Sequence, residues 1–192
     1  MIAQKDITGI VLIGGKSSRM GTDKGFIKFN NATFVEHSIN ALLPLVDEII
    51  LVGNHQQYDA LGYKRVPDVI VDAGPVSGIY SGLKESKTVY NFVLSCDIPL
   101  IKTAILKKLL IKDIPEVVQL ESNGRKMPLI ALYKKSSIVK FEQALQNKVF
   151  RLQEVLKTCE ATTVVLKESD CIFTTNVNTQ NELKEIKDAN RN

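Results

Sequence analysis

The apolar positions follow two periods along the chain, and the two alternate. Ile7 to Ile13 is an apolar run rich in β-branched residues, ending at Gly14-Gly15, which reads as a buried strand of a parallel sheet. After a polar, glycine-punctuated stretch to Gly25, Phe26 to Phe29 alternates and Asn30-Asn31 turns the chain. Thr33-Phe34-Val35-Glu36 is a capping box, so a helix should run to about Leu43, just before Pro44. Strands are expected at Glu48 to Val52 and Lys64 to Val66, with a short helix near Gln56 to Leu61 between them. Gly74-Pro75 opens a helix whose Val76, Ile79 and Leu83 share a face, and Tyr90 to Ser95 is a third strong strand, ending at Cys96-Asp97. A helix from Thr103 to Ile111 follows, then a strand from Val117 to Leu120. Asn123-Gly124 is a hairpin signal, and Met127 to Tyr133 is the returning strand, which Pro128 marks as edge or bulged. Ser137 to Asn147 and Leu152 to Lys157 read as amphipathic helices, and Thr162 to Leu166 as a strand. A second capping box, Thr179-Gln-Asn-Glu182, opens a terminal helix to about Asp188, with a polar tail from 189 to 192.

Strands separated by helices imply right-handed crossovers and a mostly parallel sheet, which the Asn123-Gly124 hairpin makes partly mixed. The expected fold class is α/β, a single-domain Rossmann-like three-layer sandwich spanning residues 1–192. In such sheets a ligand binds outside the carboxyl ends of the strands. Three polar segments fall there: Gly14 to Lys24, Val52-Gly53-Asn54, and Asp97.

Composition narrows the chemistry. At 192 residues, 44% hydrophobic and 24% charged, the chain is ordinary globular protein of one domain. Its net charge of +4 is scattered, which excludes a nucleic-acid-binding block and leaves room for a small anionic ligand. No apolar run reaches the roughly 18 residues of a membrane helix, and the N-terminus lacks a signal peptide's apolar stretch. Cys96, Cys159 and Cys171 are odd in number and lack Cys-x-x-Cys spacing, so neither a disulfide framework nor a zinc site is indicated and a reducing cytoplasm is expected. The two histidines, His37 and His55, read as plain surface residues.

The loop after the first strand carries the sharpest signal. Gly14, Gly15, Gly21 and Gly25 let backbone amides converge on one space, and Arg19 and Lys24 add positive charge beside them. That composition suits a polyphosphate. It is neither a Walker A loop nor the Gly-x-Gly-x-x-Gly dinucleotide fingerprint.

The string Leu12-Ile13-Gly14-Gly15-Lys16-Ser17-Ser18-Arg19-Met20-Gly21-Thr22-Asp23-Lys24 resembles the signature of nucleotidyltransferases that act on the molybdenum cofactor, and in particular of molybdenum cofactor guanylyltransferase. Four further segments match in order: Asp68 with Asp72-Ala-Gly-Pro-Val-Ser-Gly78, Ser95-Cys96-Asp97-Ile98-Pro99, Gly124-Arg-Lys-Met-Pro-Leu-Ile-Ala-Leu132, and Asn176-Val-Asn178-Thr179. The likeness spans essentially the whole chain. There are departures. Ile13 stands where the family usually has alanine, Val52 where some members carry a nucleotide-contacting asparagine (Asn54 lies two residues on), and Met127 where a histidine is common.

The resemblance implies GMP transfer from GTP to the terminal phosphate of molybdopterin, with release of pyrophosphate. It implies Lys24, Asp97 and Arg19 as catalytic groups. It implies Leu12, Ile13, Gly14, Gly15, Lys24, Asn54, Asp68 and Asp97 as the nucleotide site. Gly78, Pro128, Asn176 and Asn178 would meet the acceptor, and Asp97 would hold Mg2+. Residues 1–100 would form the nucleotide half and 101–188 the acceptor half. The partners implied are GTP and molybdopterin as substrates, with molybdenum-insertion proteins and acceptor molybdoenzymes or their chaperones, and neither nucleic acid nor membrane. The chemistry is self-consistent: a phosphate nucleophile is already ionised at neutral pH, so charge neutralisation and alignment are needed rather than a general base. Two other readings use the same loop: a nucleotidyltransferase with another base or acceptor (cytidylyl transfer to molybdopterin, or a sugar phosphate), and a non-catalytic nucleotide-binding module. Intact Lys24 and Asp97 weigh against the last.

Overall fold

All six residues of the first strand, Ile7–Leu12, are buried, so this strand must lie inside a sheet with apolar layers on both sides. The computed structural model of the protein describes residues 3–13 and 23–189. The strand is β1 (Ile7–Leu12), and the small hairpin β2 (Lys28–Phe29) and β3 (Ala32–Thr33) follows it. Next come α1 (Phe34–Leu42), β4 (Glu48–Val52), β5 (Lys64–Val66), α2 (Pro75–Glu85), β6 (Tyr90–Ser95) and α3 (Thr103–Lys107). The second half supplies β7 (Val117–Ser122), β8 (Arg125–Lys134), α4 (Ile138–Gln146), α5 (Leu152–Leu156), β9 (Ala161–Val165) and α6 (Gln180–Ala189).

The main sheet has seven strands in the order β5-β4-β1-β6-β8-β7-β9. Pairing is parallel throughout except along β8, which runs antiparallel to both β6 and β7. The expected α/β sandwich with a mostly parallel, partly mixed sheet is therefore what the chain forms. On one face Val11, Phe92, Leu94, Val118 and Leu132 pack with Ile39 and Leu42 of α1 and Ile105 of α3. On the other, Ile10, Val93, Ala131 and Tyr133 pack with Ile79 of α2, Phe141 of α4 and Val155 of α5. Each Val, Leu, Ile or Phe among them contributes about 1.5–3 kcal/mol when fully buried, and the period-2 alternation divides the strand residues between the two layers.

Three local features bear on the site. The predicted capping box at α1 is complete: Thr33 N–H donates to Glu36 Oε2 at 2.7 Å and Glu36 N–H to Thr33 Oγ1 at 3.4 Å. The hairpin turn at Asn123-Gly124 has φ of 50° and 72°, and β8 bulges between the pairs Gln119–Ala131 and Leu120–Met127. Pro128 sits in that bulge, where no ladder donor is missed, and the buried Tyr133 hydroxyl donates to its carbonyl at 2.9 Å. Of the two alternatives for Pro128, bulge and edge, the bulge is correct, since β8 lies inside the sheet. The helix expected from Thr103 to Ile111 stops at Lys107 instead. There the bonding tightens to i→i−3, as in Leu109 N–H to Leu106 O at 3.0 Å, which still buries Leu109.

A third, smaller cluster draws α6 and the segment before it against β2 and α1. Phe29, Phe34, Val177, Leu183 and Ile186 are buried together, and Val177 N–H donates to Asp97 O at 2.8 Å. This contact carries the segment before α6 to the carboxyl edge of the sheet.

Candidate active site

The site begins as a row across three strand ends. Leu12 is in register with Val52 on one side and Ser95 on the other. The ladder continues one step further through Ile13 N–H to Val52 O at 2.9 Å and Cys96 N–H to Leu12 O at 3.2 Å. A cleft of about 570 Å3 opens at this edge, with Leu12, Val52, Asn54, Asp68, Gly78 and Leu129 among the residues that line it.

One wall is built from the segments after β4 and β5. Asn54 Oδ1 accepts the Asp68 N–H at 3.1 Å. The next two amides, of Val69 and Ile70, donate to Ser81 Oγ and Ser77 Oγ of α2, both at 2.9 Å. The Asp68 backbone is thus held from two sides, while its carboxylate accepts no hydrogen bond among the described residues. Burial pushes the Asp68 carboxyl above the ordinary aspartate value of 3.8. A half-buried carboxylate beside an open cleft is an acceptor awaiting N–H donors. Gly78 lets Leu12 and Asp68 approach closely: a Cβ there would stand 3.1 Å from Leu12 Cδ2 and 3.3 Å from Asp68 Oδ1.

The charged groups gather at the end of β6. Ser95 Oγ donates to Asp97 Oδ1 at 2.7 Å, and Asp97 Oδ2 lies 4.0 Å from Lys24 Nζ. Lys24 Nζ also donates to Asn178 Oδ1 at 2.6 Å across 154 residues of chain. Asn178 is fixed in turn, since Glu182 Oε2 accepts the N–H groups of Asn178 at 2.6 Å and Thr179 at 2.9 Å in the predicted second capping box. The Lys24 and Asp97 side chains are 20% and 17% exposed, enough to meet a ligand yet withdrawn enough to strengthen their charges relative to a freely solvated pair. A cation, a carboxylate with one oxygen turned from its serine donor and an amide, all within reach of one cleft, can neutralise and align a polyphosphate.

This geometry can be set beside known proteins. The profile of the MobA-like NTP transferase domain matches residues 9–164, more than half of the chain. The chain belongs to the MobA-like NTP transferase family. It is 36% identical over 182 residues to a Flavobacterium johnsoniae protein named "Probable molybdenum cofactor guanylyltransferase", covering 94% of this chain and 96% of that one. A Geobacillus protein of the same name is 31% identical, with 94% and 97% covered. A solved structure, molybdopterin-guanine dinucleotide biosynthesis protein A of Archaeoglobus fulgidus, superposes with a TM-score of 0.81 over 96% of this chain and 98% of that one. At 19% identity that last likeness speaks to the fold alone.

Within this MobA-like frame, the residues expected from the sequence divide into three groups. Lys24, Asp97 and Asn178 come together, and Leu12, Asn54, Asp68 and Gly78 line the adjoining cleft, with Ile13 one residue past the end of β1. Pro128 lies in the bulge of β8 beside the cleft-lining Leu129, and Asn176 is exposed one residue before the buried Val177. Gly14, Gly15 and Arg19 lie outside the described residues. His55 is exposed, as expected of a surface residue, but it has contacts that the sequence did not announce. It lines the cleft, and its Nδ1 lies 2.9 Å from Asp23 Oδ2. His37 likewise bonds the Phe29 carbonyl through Nε2 at 2.9 Å. Sequence reasoning also passed over Ser95, although a hydroxyl two residues before a strand-end aspartate was a visible cue.

The donor set bears on the metal. Among the described residues no group of three His, Cys, Asp or Glu side chains is placed to hold an ion. Magnesium binds through one or two carboxylates plus substrate phosphates and waters, so Asp97 alone fits an ion that arrives with a nucleoside triphosphate. Among the described residues no helix is long and apolar enough to cross a membrane.

Proposed function

We propose that this protein transfers GMP from GTP to the terminal phosphate of molybdopterin, giving the molybdopterin guanine dinucleotide and pyrophosphate. The observation that carries the reading is the meeting of Lys24, Asp97 and Asn178 beside a cleft floored by the ends of β1, β4 and β6. Family membership and relatives named for guanylyl transfer to the molybdenum cofactor supply the substrates.

In this reading an oxygen of the acceptor phosphate attacks the α-phosphorus of GTP, the bond from that phosphorus to the bridging oxygen breaks, and pyrophosphate leaves with the electron pair. Lys24, with Arg19 and the amides of Gly14 and Gly15, binds the triphosphate. Leu12 and Ile13 offer backbone groups to the base, Asn54 holds the Asp68 segment, and the Asp68 carboxylate accepts from the N–H edge of guanine. Asp97 would hold Mg2+, which neutralises phosphate charge when bound. Asn178 keeps the Lys24 ammonium beside Asp97, and Gly78, Pro128, Asn176 and Asn178 face the acceptor. Residues 1–100 act as the nucleotide half and 101–188 as the acceptor half. The three unbridged cysteines fit a cytoplasmic setting, where molybdenum-insertion proteins and acceptor molybdoenzymes or their chaperones would be the partners.

Pyrophosphate release measured with GTP, CTP, ATP and UTP, each with and without molybdopterin, tests the reading. Release with GTP and molybdopterin together is expected. Turnover with CTP or with a sugar phosphate would transfer the same site to another base or acceptor, and GTP binding without turnover would make it a binding module.

A further inference from the structure

Lys24 follows the residue that caps its turn. Asp23 caps the 3-10 turn Lys24–Phe26: its Oδ1 accepts the Gly25 N–H at 3.1 Å, while its backbone oxygen accepts the Phe26 N–H at 3.1 Å. The same carboxylate is shared with a distant segment. Tyr58 Oη donates to Asp23 Oδ1, His55 Nδ1 lies 2.9 Å from Oδ2, and Gln57 Nε2 donates to Oδ2 at 3.5 Å. Tyr58 is fully buried and its ring stacks on Phe26 with centroids 4.3 Å apart. Its hydroxyl is a permanent donor, because burial and then the Asp23 hydrogen bond push the phenol far above its ordinary range. Gly25 completes the fit, since a Cβ there would collide with the Tyr58 hydroxyl. No direct contact of Tyr58 with the cleft is needed for any of this.

We propose that Asp23 and Tyr58 are positioning residues: the Tyr58 hydroxyl locks the Asp23 carboxylate, and that lock aims the Lys24 ammonium at the nucleotide's phosphates. The proposal rests on the reading of Lys24 as a phosphate-binding residue. A lysine on a free turn would spend its time among several rotamers, and each phosphate contact would bear the entropy of ordering it. A turn held by a buried charge-assisted hydrogen bond presents the ammonium already oriented beside Asn178 and Asp97.

The test measures affinity for magnesium–GTP by titration calorimetry in the full chain, in wild type, Tyr58→Phe, Lys24→Ala and the double variant. Guanosine affinity by ligand-observed NMR and thermal midpoints are recorded alongside. Tyr58→Phe should weaken GTP binding roughly tenfold, the scale of one lost hydrogen bond to a charged group. It should leave guanosine binding within about twofold. In the Lys24→Ala background the same substitution should change GTP affinity by less than about twofold, because no ammonium remains to aim. An equal loss in both backgrounds, an equal loss for guanosine, or no loss at all would overturn the positioning role. Wild-type GTP affinity in Lys24→Ala alone would instead overturn the phosphate-binding reading of Lys24, and the proposal with it.

Discussion

The wall of the cleft formed by the segments after β4 and β5 contrasts with the wall near β8. On the first, Asn54, Ser77 and Ser81 spend their side chains on successive amides from Asp68 to Ile70, and Arg65 bonds the Gly53 carbonyl at 3.0 Å. The result is a backbone fixed around one bare carboxylate. On the second, Leu129 reaches the cleft from a bulge whose Pro128 carbonyl accepts from Tyr133, and the hairpin tip carries exposed Arg125 and Lys126. The difference teaches that the first wall is fixed by its hydrogen bonds before any ligand arrives; in the proposed reading it reads the nucleotide, and the β8 side meets the acceptor. The Lys24–Asp97–Asn178 group gathers at the end of β6, beside the same cleft.

Substitutions rank this contrast by size. The largest effect is expected from Asp97→Asn, which removes a negative charge at the junction. Turnover should fall about a hundredfold or more, by the scale of losing one group that stabilises transition-state charge, with the circular dichroism spectrum unchanged. A folded variant with near-normal pyrophosphate release would remove Asp97 from the chemistry. Lys24→Ala comes next, with GTP affinity down by roughly ten- to a hundredfold in calorimetry and a thermal midpoint close to wild type. Asp68→Asn should act twice. It should weaken GTP binding by about tenfold, and it should stabilise the apo protein slightly at neutral pH, of the order of 1–2 °C. The sign follows from linkage: a carboxyl whose folded pKa is raised binds its proton more tightly in the folded state, so it costs stability as the pH rises through that raised value. The gain in Asp68→Asn should therefore vanish as the pH falls below the ordinary aspartate value of 3.8, which melting curves across pH will show. The smallest effect is expected at the exposed Asn176, where alanine should leave GTP affinity within about twofold and any loss should appear only in the KM for molybdopterin.

Much of the fold was readable from local chemistry. Both capping boxes, at Thr33 and Thr179, formed as expected because each is an exchange of hydrogen bonds within four consecutive residues that needs no tertiary partner. The strands ending at Leu12, Val52 and Ser95 were readable from their apolar runs, and Asn54, which follows the second, lines the cleft at their ends. What local pattern does not carry is pairing across long separations. Nothing near Tyr58 announces that its hydroxyl meets Asp23, 35 residues earlier, and nothing near Lys24 announces Asn178. The insertion of β8 between β6 and β7 is of the same kind, since periodicity says which residues are buried but not which strand lies beside them. The contact of the exposed His55 with Asp23 was illegible for that reason, since the chain brings the two together only on folding.

The most direct trial of the central claim is a crystal structure of the protein with GTP and magnesium. The base should lie against Leu12 with its N–H edge on Asp68, the triphosphate should rest against Lys24, and Asp97 should hold the ion. A nucleotide bound away from the ends of β1, β4 and β6, with Lys24 and Asp97 untouched, would contradict the account.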